Sequence, residues 1–134
     1  MKKTNIVLSI AMTVAIGIGS FGNMTFAKNI GELDGLVVKC SSWTWTDALI
    51  KTTNKQEAVV NLNNDGGYAW LTCKVYNGKK NKKVGSVCLQ RGTRAAFSTS
   101  GAEKNKSYRL ALQKTYDNVT SKVQIIDGSW SPDN

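Results

Sequence analysis

The chain has 134 residues, of which 18 are lysine or arginine, 9 are aspartate or glutamate and none is histidine, so its formal net charge is +9. A chain of this length holds one domain with a single modest core. The excess of positive charge favours acidic partners. The lack of histidine removes the usual near-neutral base and the commonest metal ligand.

The amino terminus has the pattern of a secretory signal peptide. Lys2 and Lys3 precede an apolar run over residues 6–18, and a short polar region ends at Ala27. The run is shorter than the roughly 20 residues that a membrane-spanning helix requires. We therefore expect residues 1–27 to be a signal peptide and residues 28–134 to form one secreted, extracellular domain. Removing 27 of 134 residues leaves 107, and losing two lysines lowers the net charge from +9 to +7.

The mature sequence predicts β-structure. Short apolar segments alternate with clusters of Asn, Gly, Ser, Asp and Lys, a spacing typical of short antiparallel strands. We expect an all-β fold, either a small antiparallel β-sandwich or a partly open barrel of about seven short strands. Residues 46–53 are compatible with a helical turn or two. The predicted strands are Leu36–Cys40, Glu57–Leu62, Tyr68–Tyr76, Val84–Gln90, Arg94–Thr99, Tyr108–Gln113 and Ser121–Asp127.

Side chains alternate in character along the strand predicted at Tyr68–Tyr76. The odd positions from 69 to 75 carry Ala, Leu, Cys and Val, and the even positions from 70 to 76 carry Trp, Thr, Lys and Tyr. Successive strand residues point to opposite faces of a sheet. We therefore expect the odd positions to face the core, while Trp70, Lys74 and Tyr76 share the other face.

The three cysteines suggest a disulfide bond, because an exported protein folds in an oxidising environment. If the strands ending at Tyr76 and beginning at Val84 form a hairpin in which Cys73 lies opposite Cys88, a disulfide can join the two sulfurs. Such a bridge stabilises a domain by roughly 3 kcal/mol in the chain-entropy model. Pairing of Cys40 with either of the other two remains open. In the favoured scheme Cys40 is a buried thiol or an intermolecular link.

The tip of this hairpin is strongly basic. Lys79, Lys80, Lys82 and Lys83 are separated only by Asn81. Four like charges on one turn repel each other and do not help folding, so they are candidates for binding an anionic partner. The alternative is a solvated loop whose lysines discourage edge-to-edge aggregation.

Two tryptophans alternate with threonines in the segment that begins at Ser41. On a strand, Trp43 and Trp45 project from one face and form an aromatic platform for a sugar ring, a base or a lipid interface. The alternative is that both residues close the open end of a sandwich. Trp130 is likewise either a closing plug or an exposed anchor.

The sequence does not predict an enzyme. It has no nucleophile-elbow or phosphate-loop pattern and no recognisable pair of catalytic carboxylates. It also has no closely spaced cysteine pair of the kind that binds metal. We therefore expect no catalytic residues, no metal and no cofactor.

Two short runs carry a resemblance to a known group of proteins. They are Lys104-Asn105-Lys106-Ser107-Tyr108 and the ending Ile126-Asp127-Gly128-Ser129-Trp130. With the signal peptide and the small basic body, these runs resemble small exported proteins of Firmicutes, including the lactococcin-972-type bacteriocins. The resemblance implies a β-sandwich that acts on the cell envelope. The chain differs from those bacteriocins in its greater length, its three cysteines and its lack of histidine.

The functional expectation is a secreted, basic, bacteriocin-like or toxin-like polypeptide that acts at an anionic cell envelope. The alternative is a non-catalytic binding module for cell-wall glycan, teichoic acid or a partner protein, and a proteinase inhibitor with the lysine loop as bait ranks below both. The expected partners are an anionic envelope polymer, a membrane surface or a secreted protein, with nucleic acid disfavoured.

Overall fold

The computed structural model describes residues 28–134, and within them every regular element is a β-strand. The predicted signal peptide lies outside the described residues. No helix in the described part of the chain is long and apolar enough to cross a membrane. The nine strands are β1 (Gly31–Lys39), β2 (Thr44–Trp45), β3 (Leu49–Ile50), β4 (Glu57–Asn61), β5 (Trp70–Asn77), β6 (Lys83–Gln90), β7 (Arg94–Ser98), β8 (Ser107–Lys114) and β9 (Val123–Ser131).

The strands form two antiparallel sheets. The first sheet has the order β1-β9-β4-β7, and the second has the order β2-β8-β5-β6, with β3 also paired to β8. The first and last strands lie side by side, with Gly31 opposite Trp130 and Lys39 opposite Val123. The all-β prediction is confirmed, and the architecture is a small β-sandwich.

The hydrophobic core lies between the two sheets. Both sheets contribute one face of alternating side chains, as expected for strands with one buried side. In β5 the odd positions from 71 to 75 are buried and the even positions are more exposed, which confirms the predicted alternation. Trp130 is only 1% exposed, so it closes the core and is not an exposed anchor. The largest apolar side chains that are fully buried there are Leu33, Val38, Val60, Leu62, Leu71, Val75, Leu110, Leu112, Ile126 and Trp130.

The predicted register of the β5–β6 hairpin is wrong by one residue. Thr72 lies opposite Cys88, and Cys73 lies opposite Val87. The Cys73 side chain therefore points into the core, whereas the Cys88 side chain points outward and is exposed. A shift of one residue moves a side chain to the other face. The predicted Cys73–Cys88 disulfide is accordingly not formed, and Cys40, Cys73 and Cys88 are all free thiols.

The segment between residues 46 and 53 contains a short strand and not the helical turn expected for it. β3 pairs with β8, so that Leu49 lies opposite Tyr108. The pairing continues beyond the strand, because Lys51 N donates to Lys106 O and Asn105 N donates to Lys51 O. These hydrogen bonds to a neighbouring strand take the place of the local ones that a helix would need.

β1 begins five residues earlier than the sequence predicted. The predicted strand began at Leu36, after Asp34 and Gly35, which are poor strand formers. The structure accommodates both residues in an irregularity between Leu33 and Leu36, where Gly35 has a φ of 62°. A glycine adopts this left-handed conformation without steric cost. The strand therefore continues through a bulge that sequence pattern alone marks as a boundary.

A buried ion pair anchors the carboxyl-terminal segment. Lys51 is fully buried, and its Nζ donates to Pro132 O at 2.7 Å and to Asp133 Oδ1 at 3.2 Å. The Asp133 carboxylate also accepts hydrogen bonds from the backbone N–H and the hydroxyl of both Thr52 and Thr53. Each charge is therefore compensated, as buried charges must be.

A second buried lysine lies at the end of β8. Lys114 Nζ donates to Thr115 O at 2.6 Å and to Asp117 Oδ2 at 3.0 Å. Hydrogen bonds from Thr120, together with those from Lys114 and Val119, hold the pKa of Asp117 well below its usual range. The ionised carboxylate thus organises the loop that leads from β8 towards β9.

Candidate functional site

The outer face of the second sheet brings β2 close to β5 across β8. Trp45 lies opposite Ala111, and Lys74 of β5 lies opposite the same alanine from the other side. Residues directly opposite each other in neighbouring strands project from the same face. The small Ala111 side chain lies between Trp45 and Lys74 and is fully buried.

Cationic and aromatic side chains alternate across this face. Lys74 Nζ lies 4.7 Å from the ring centroid of Trp43, and Lys80 Nζ lies 4.9 Å from that of Trp45. Trp45 also meets Tyr76 edge to face, with 5.1 Å between the ring centroids and 64° between the ring planes. Each cation–π contact at an exposed site contributes about 0.5–1 kcal/mol. We call this surface the cation–aromatic face; it consists of Trp43, Trp45, Lys74, Tyr76, Lys80 and Arg109.

Arg109 joins the hairpin tip to the segment that follows β2. It lies opposite Tyr76 in the sheet. Its Nε donates to Gly78 O at 3.0 Å, and its Nη1 donates to Thr46 O at 3.1 Å. The rigid guanidinium fork binds two carbonyl groups at once. It thereby fixes the position of the tip relative to Trp45.

The lysine-rich tip is a defined turn. The Asn77 side chain accepts from Asn81 N at 2.9 Å and from Lys82 N at 3.2 Å, and it donates to Asn81 Oδ1 at 2.6 Å. Lys80 has a φ of 64°, in the left-handed region that a turn of this kind requires. Gly78 N donates to Ser107 O at 2.8 Å, which fastens the tip to β8.

The four predicted lysines do not point to one place. Lys80 lies over Trp45, whereas Lys79 and Lys82 line a separate cavity of about 290 Å³ together with Lys106. Lys83 is not in the loop but is the first residue of β6. All four side chains are exposed. We call the cavity between Lys79, Lys82 and Lys106 the lysine cleft.

The lysines of the tip form no ion pair in the part of the chain that the structure describes. The ion pairs formed there are Lys51–Asp133, Lys55–Glu57, Arg91–Asp65 and Lys114–Asp117. None of these ion pairs involves Lys79, Lys80, Lys82 or Lys83, although Glu103 lines the same cavity as Lys79 and Lys82. The positive potential of these lysines extends outward, where it attracts anions.

The structure unites two features that the sequence treated separately. The sequence predicted a lysine tip and an independent platform of Trp43 and Trp45. The structure places Lys80 of the tip directly on Trp45 of the platform. Both tryptophans are half-buried, and each has a lysine over its ring.

Three members of the cation–aromatic face, Lys74, Tyr76 and Arg109, were not among the predicted site residues. The alternation in β5 already placed Lys74 on the same face as Tyr76, and that signal was sufficient to include both. Arg109 carries no comparable signal, because its role depends on contacts with Gly78 and Thr46 that are distant in sequence.

The two thiols of the β5–β6 hairpin lie in opposite environments. Burial, and to a smaller extent the neighbouring Cys88, raises the pKa of the Cys73 thiol far above its usual range. Cys73 is therefore a small apolar core residue. Cys88 is exposed on the outer face, with its sulfur 3.4 Å from Thr72 Oγ1. Among residues 28–134, no group of three Cys, Asp or Glu side chains is arranged to hold a metal ion.

Comparison with known proteins adds no family. No protein-family model matches the chain, and no curated protein matches it. A solved structure described as "Crystal structure of PirA" is similar, with a TM-score of 0.38 and 10% sequence identity over 84% of this chain and 96% of that chain. A TM-score and an identity this low do not establish a common fold, so the likeness says nothing about what this chain does.

Proposed function

We propose that this chain is a secreted, non-catalytic protein that acts at an anionic cell envelope by binding a phosphate-bearing polymer through its cation–aromatic face. The observation that carries the proposal is the position of Lys74 and Lys80, each held over an indole ring. A polymer that offers sugar or polyol units between phosphates meets both kinds of side chain at once. The aromatic rings pack against its less polar surfaces, and the ammonium groups meet its phosphates.

The arrangement of lysines around the hairpin tip supports the same proposal. The lysine cleft lies on the other side of the hairpin tip from Trp45, so anionic groups meet lysines on both sides of the turn. The tip is fixed by Asn77 and by the hydrogen bond from Gly78 to Ser107, so little conformational freedom is lost on binding. A bacteriocin-like protein and a neutral binding module both require this first step of envelope binding.

The proposal is tested with cell wall that retains its teichoic acid and with wall from which it has been removed. We expect saturable binding to the intact wall that weakens with salt, because screening acts on exposed charges. The variant Lys74→Ser with Lys80→Ser should bind about tenfold more weakly or worse, since each surface lysine contributes about 1 kcal/mol near an anionic surface. Equal binding to the two wall preparations would refute the proposal.

A matched control separates the location of the charge from its amount. The variant Lys39→Ser with Lys122→Ser removes the same net charge from exposed positions on β1 and next to β9. It should bind nearly as well as the unaltered protein. Equal loss in the two double variants would show that net charge alone determines binding. Spotting both proteins on lawns of related bacteria at low and high salt then distinguishes a toxin from a neutral module.

A further inference from the structure

A groove of about 350 Å³ opens between the two sheets where β1 passes β2 and β3. Its apolar lining includes Leu33, Leu36 and Leu49, and the half-buried Trp45 and the buried Trp130 also line it. The carboxylate-bearing residues that line the groove are Glu32, Asp34 and Asp47.

The groove is lined by negatively charged residues, whereas the molecule as a whole is positively charged. Three of the nine acidic residues of the chain line it, although the net charge of the whole is +9. Glu32 and Asp47 are exposed, and neither takes part in an ion pair formed within residues 28–134. A local excess of negative charge at an apolar opening attracts cations that also have apolar surface.

The arrangement of the residues that line the groove favours binding of an organic cation over binding of a metal ion. A divalent metal needs several oxygen ligands within about 2.6 Å of one point. The acidic residues of the groove do not converge in that way, since no group of three in the described part of the chain is arranged for a metal. An alkylated ammonium group instead needs aromatic and apolar surface with carboxylates nearby, and aromatic cages for such groups are built in this way.

We propose that this groove binds the ammonium group of an organic phosphate ester. Trp45 connects the two surfaces: the residue is part of the groove lining, and its ring centroid lies 4.9 Å from Lys80 Nζ. A ligand with its ammonium in the groove therefore has its phosphate within reach of the cation–aromatic face. Phosphocholine carries both groups, with an alkylated ammonium. The phosphate half of this inference rests on the proposed function, whereas the ammonium half stands independently of it.

The full mature chain is titrated with three probes, and binding is measured by tryptophan fluorescence and by calorimetry. Choline carries the ammonium alone, its neutral carbon isostere has the same shape without charge, and phosphocholine carries both charges. Choline should bind more tightly than the isostere by about fivefold or more, given the size of cation–π and carboxylate interactions at partly exposed sites. Phosphocholine should bind more tightly than choline.

Variants locate the binding. Glu32→Gln with Asp47→Asn should abolish the preference for choline over its isostere, while Glu103→Gln, an exposed carboxylate outside the groove, should leave it unchanged. Lys80→Ser should reduce binding of phosphocholine and not of choline. Thermal unfolding of each variant confirms that the fold is retained.

Two results would overturn the inference: equal affinity for choline and its isostere, or an unchanged preference in the Glu32 and Asp47 variant. Either result leaves wall binding by Lys74 and Lys80 intact, so the two proposals fail separately. Phosphatidylcholine vesicles identify the source of the ligand. Co-sedimentation with them points to a lipid headgroup, whereas binding of the soluble probe without co-sedimentation points to a decorated polymer.

Discussion

At the scale of single residues, Lys51 and Asp133 show how a buried ion pair holds two distant parts of the chain together. Burial acts to raise the pKa of Asp133, but hydrogen bonds from Thr52, Thr53 and Lys51 outweigh it and leave the pKa below its ordinary value of 3.8. The group is therefore stabilised in its ionised form. The chain end carries this carboxylate to a lysine that lies 82 residues earlier in the sequence.

The variant Asp133→Asn should lower the free energy of unfolding by about 3 kcal/mol near neutral pH, because it leaves Lys51 buried without a counter-charge. The pH dependence has a definite sign. The folded pKa lies below the unfolded one, so the contribution is complete above about pH 4 and is lost as the pH falls through the folded value. Urea unfolding of the unaltered protein and of the Asp133→Asn variant, at neutral and at acidic pH, measures this contribution.

The difference between the two proteins should therefore shrink on acidification. The exposed Glu103→Gln is the control, and its stability should follow that of the unaltered chain at each pH. A constant difference across the pH range would show that the Asp133 carboxylate is not the group responsible.

At the scale of elements, the β5–β6 hairpin depends on one close contact. The Gly78 backbone lies against Ser107, and an added Cβ would overlap the serine hydroxyl. Gly78→Ala should destabilise the fold by about 1 kcal/mol, at the low end for overpacking, because the hydroxyl has some freedom to rotate. It should also weaken binding to intact wall, since the tip carries Lys80. Urea unfolding and wall sedimentation measure the two effects.

A second substitution tests the cause. Removing the hydroxyl by Ser107→Ala in the Gly78→Ala background should restore most of the lost stability, as contacting residues couple in a double-mutant cycle. Gly66→Ala is the control, because a Cβ at Gly66 meets nothing within 4 Å. Additive effects of the two substitutions would exclude the proposed contact.

Much of the strand content was predictable from sequence, whereas register was not. Alternation along Ala69 to Tyr76 identified both faces of β5 because each inward position is apolar. The same pattern does not fix the partner of Cys73. Val75 rather than Tyr76 lies opposite Gly85, and an irregularity between Val75 and Tyr76 then places Tyr76 opposite Lys83. Such irregularities depend on local backbone conformation and leave no reliable trace in hydrophobic pattern.

A candidate site was easier to predict from sequence when its residues lie close together along the chain. The lysine tip is a single stretch of sequence and was identified directly. The groove draws Glu32 from β1, Asp47 from the segment after β2 and Trp130 from β9. Its members become neighbours only through pairing of distant strands, so no spacing rule brings them together.

At the scale of the whole molecule, the reactivity of the buried Cys73 thiol measures global unfolding. Its side chain is fully buried in the central strand β5, so an alkylating reagent reaches it only when the sandwich unfolds. In a chain with Cys40→Ser and Cys88→Ser, labelling of Cys73 should be negligible in native buffer and should follow the unfolding curve in urea. Rapid labelling without denaturant would show that the second sheet opens locally. The converse variant, with only Cys88 retained, is the control and should react at once.

The strand order of the first sheet also determines when that sheet is able to form. β9 follows β1, β4 and β7 in the chain and so leaves the ribosome after them, yet it lies between β1 and β4. Until it emerges, β1 has no partner in its sheet and β4 has only β7. A nascent chain therefore presents unsatisfied edges of β1 and β4 until β9 emerges, and assembly of this sheet must follow translation of β9.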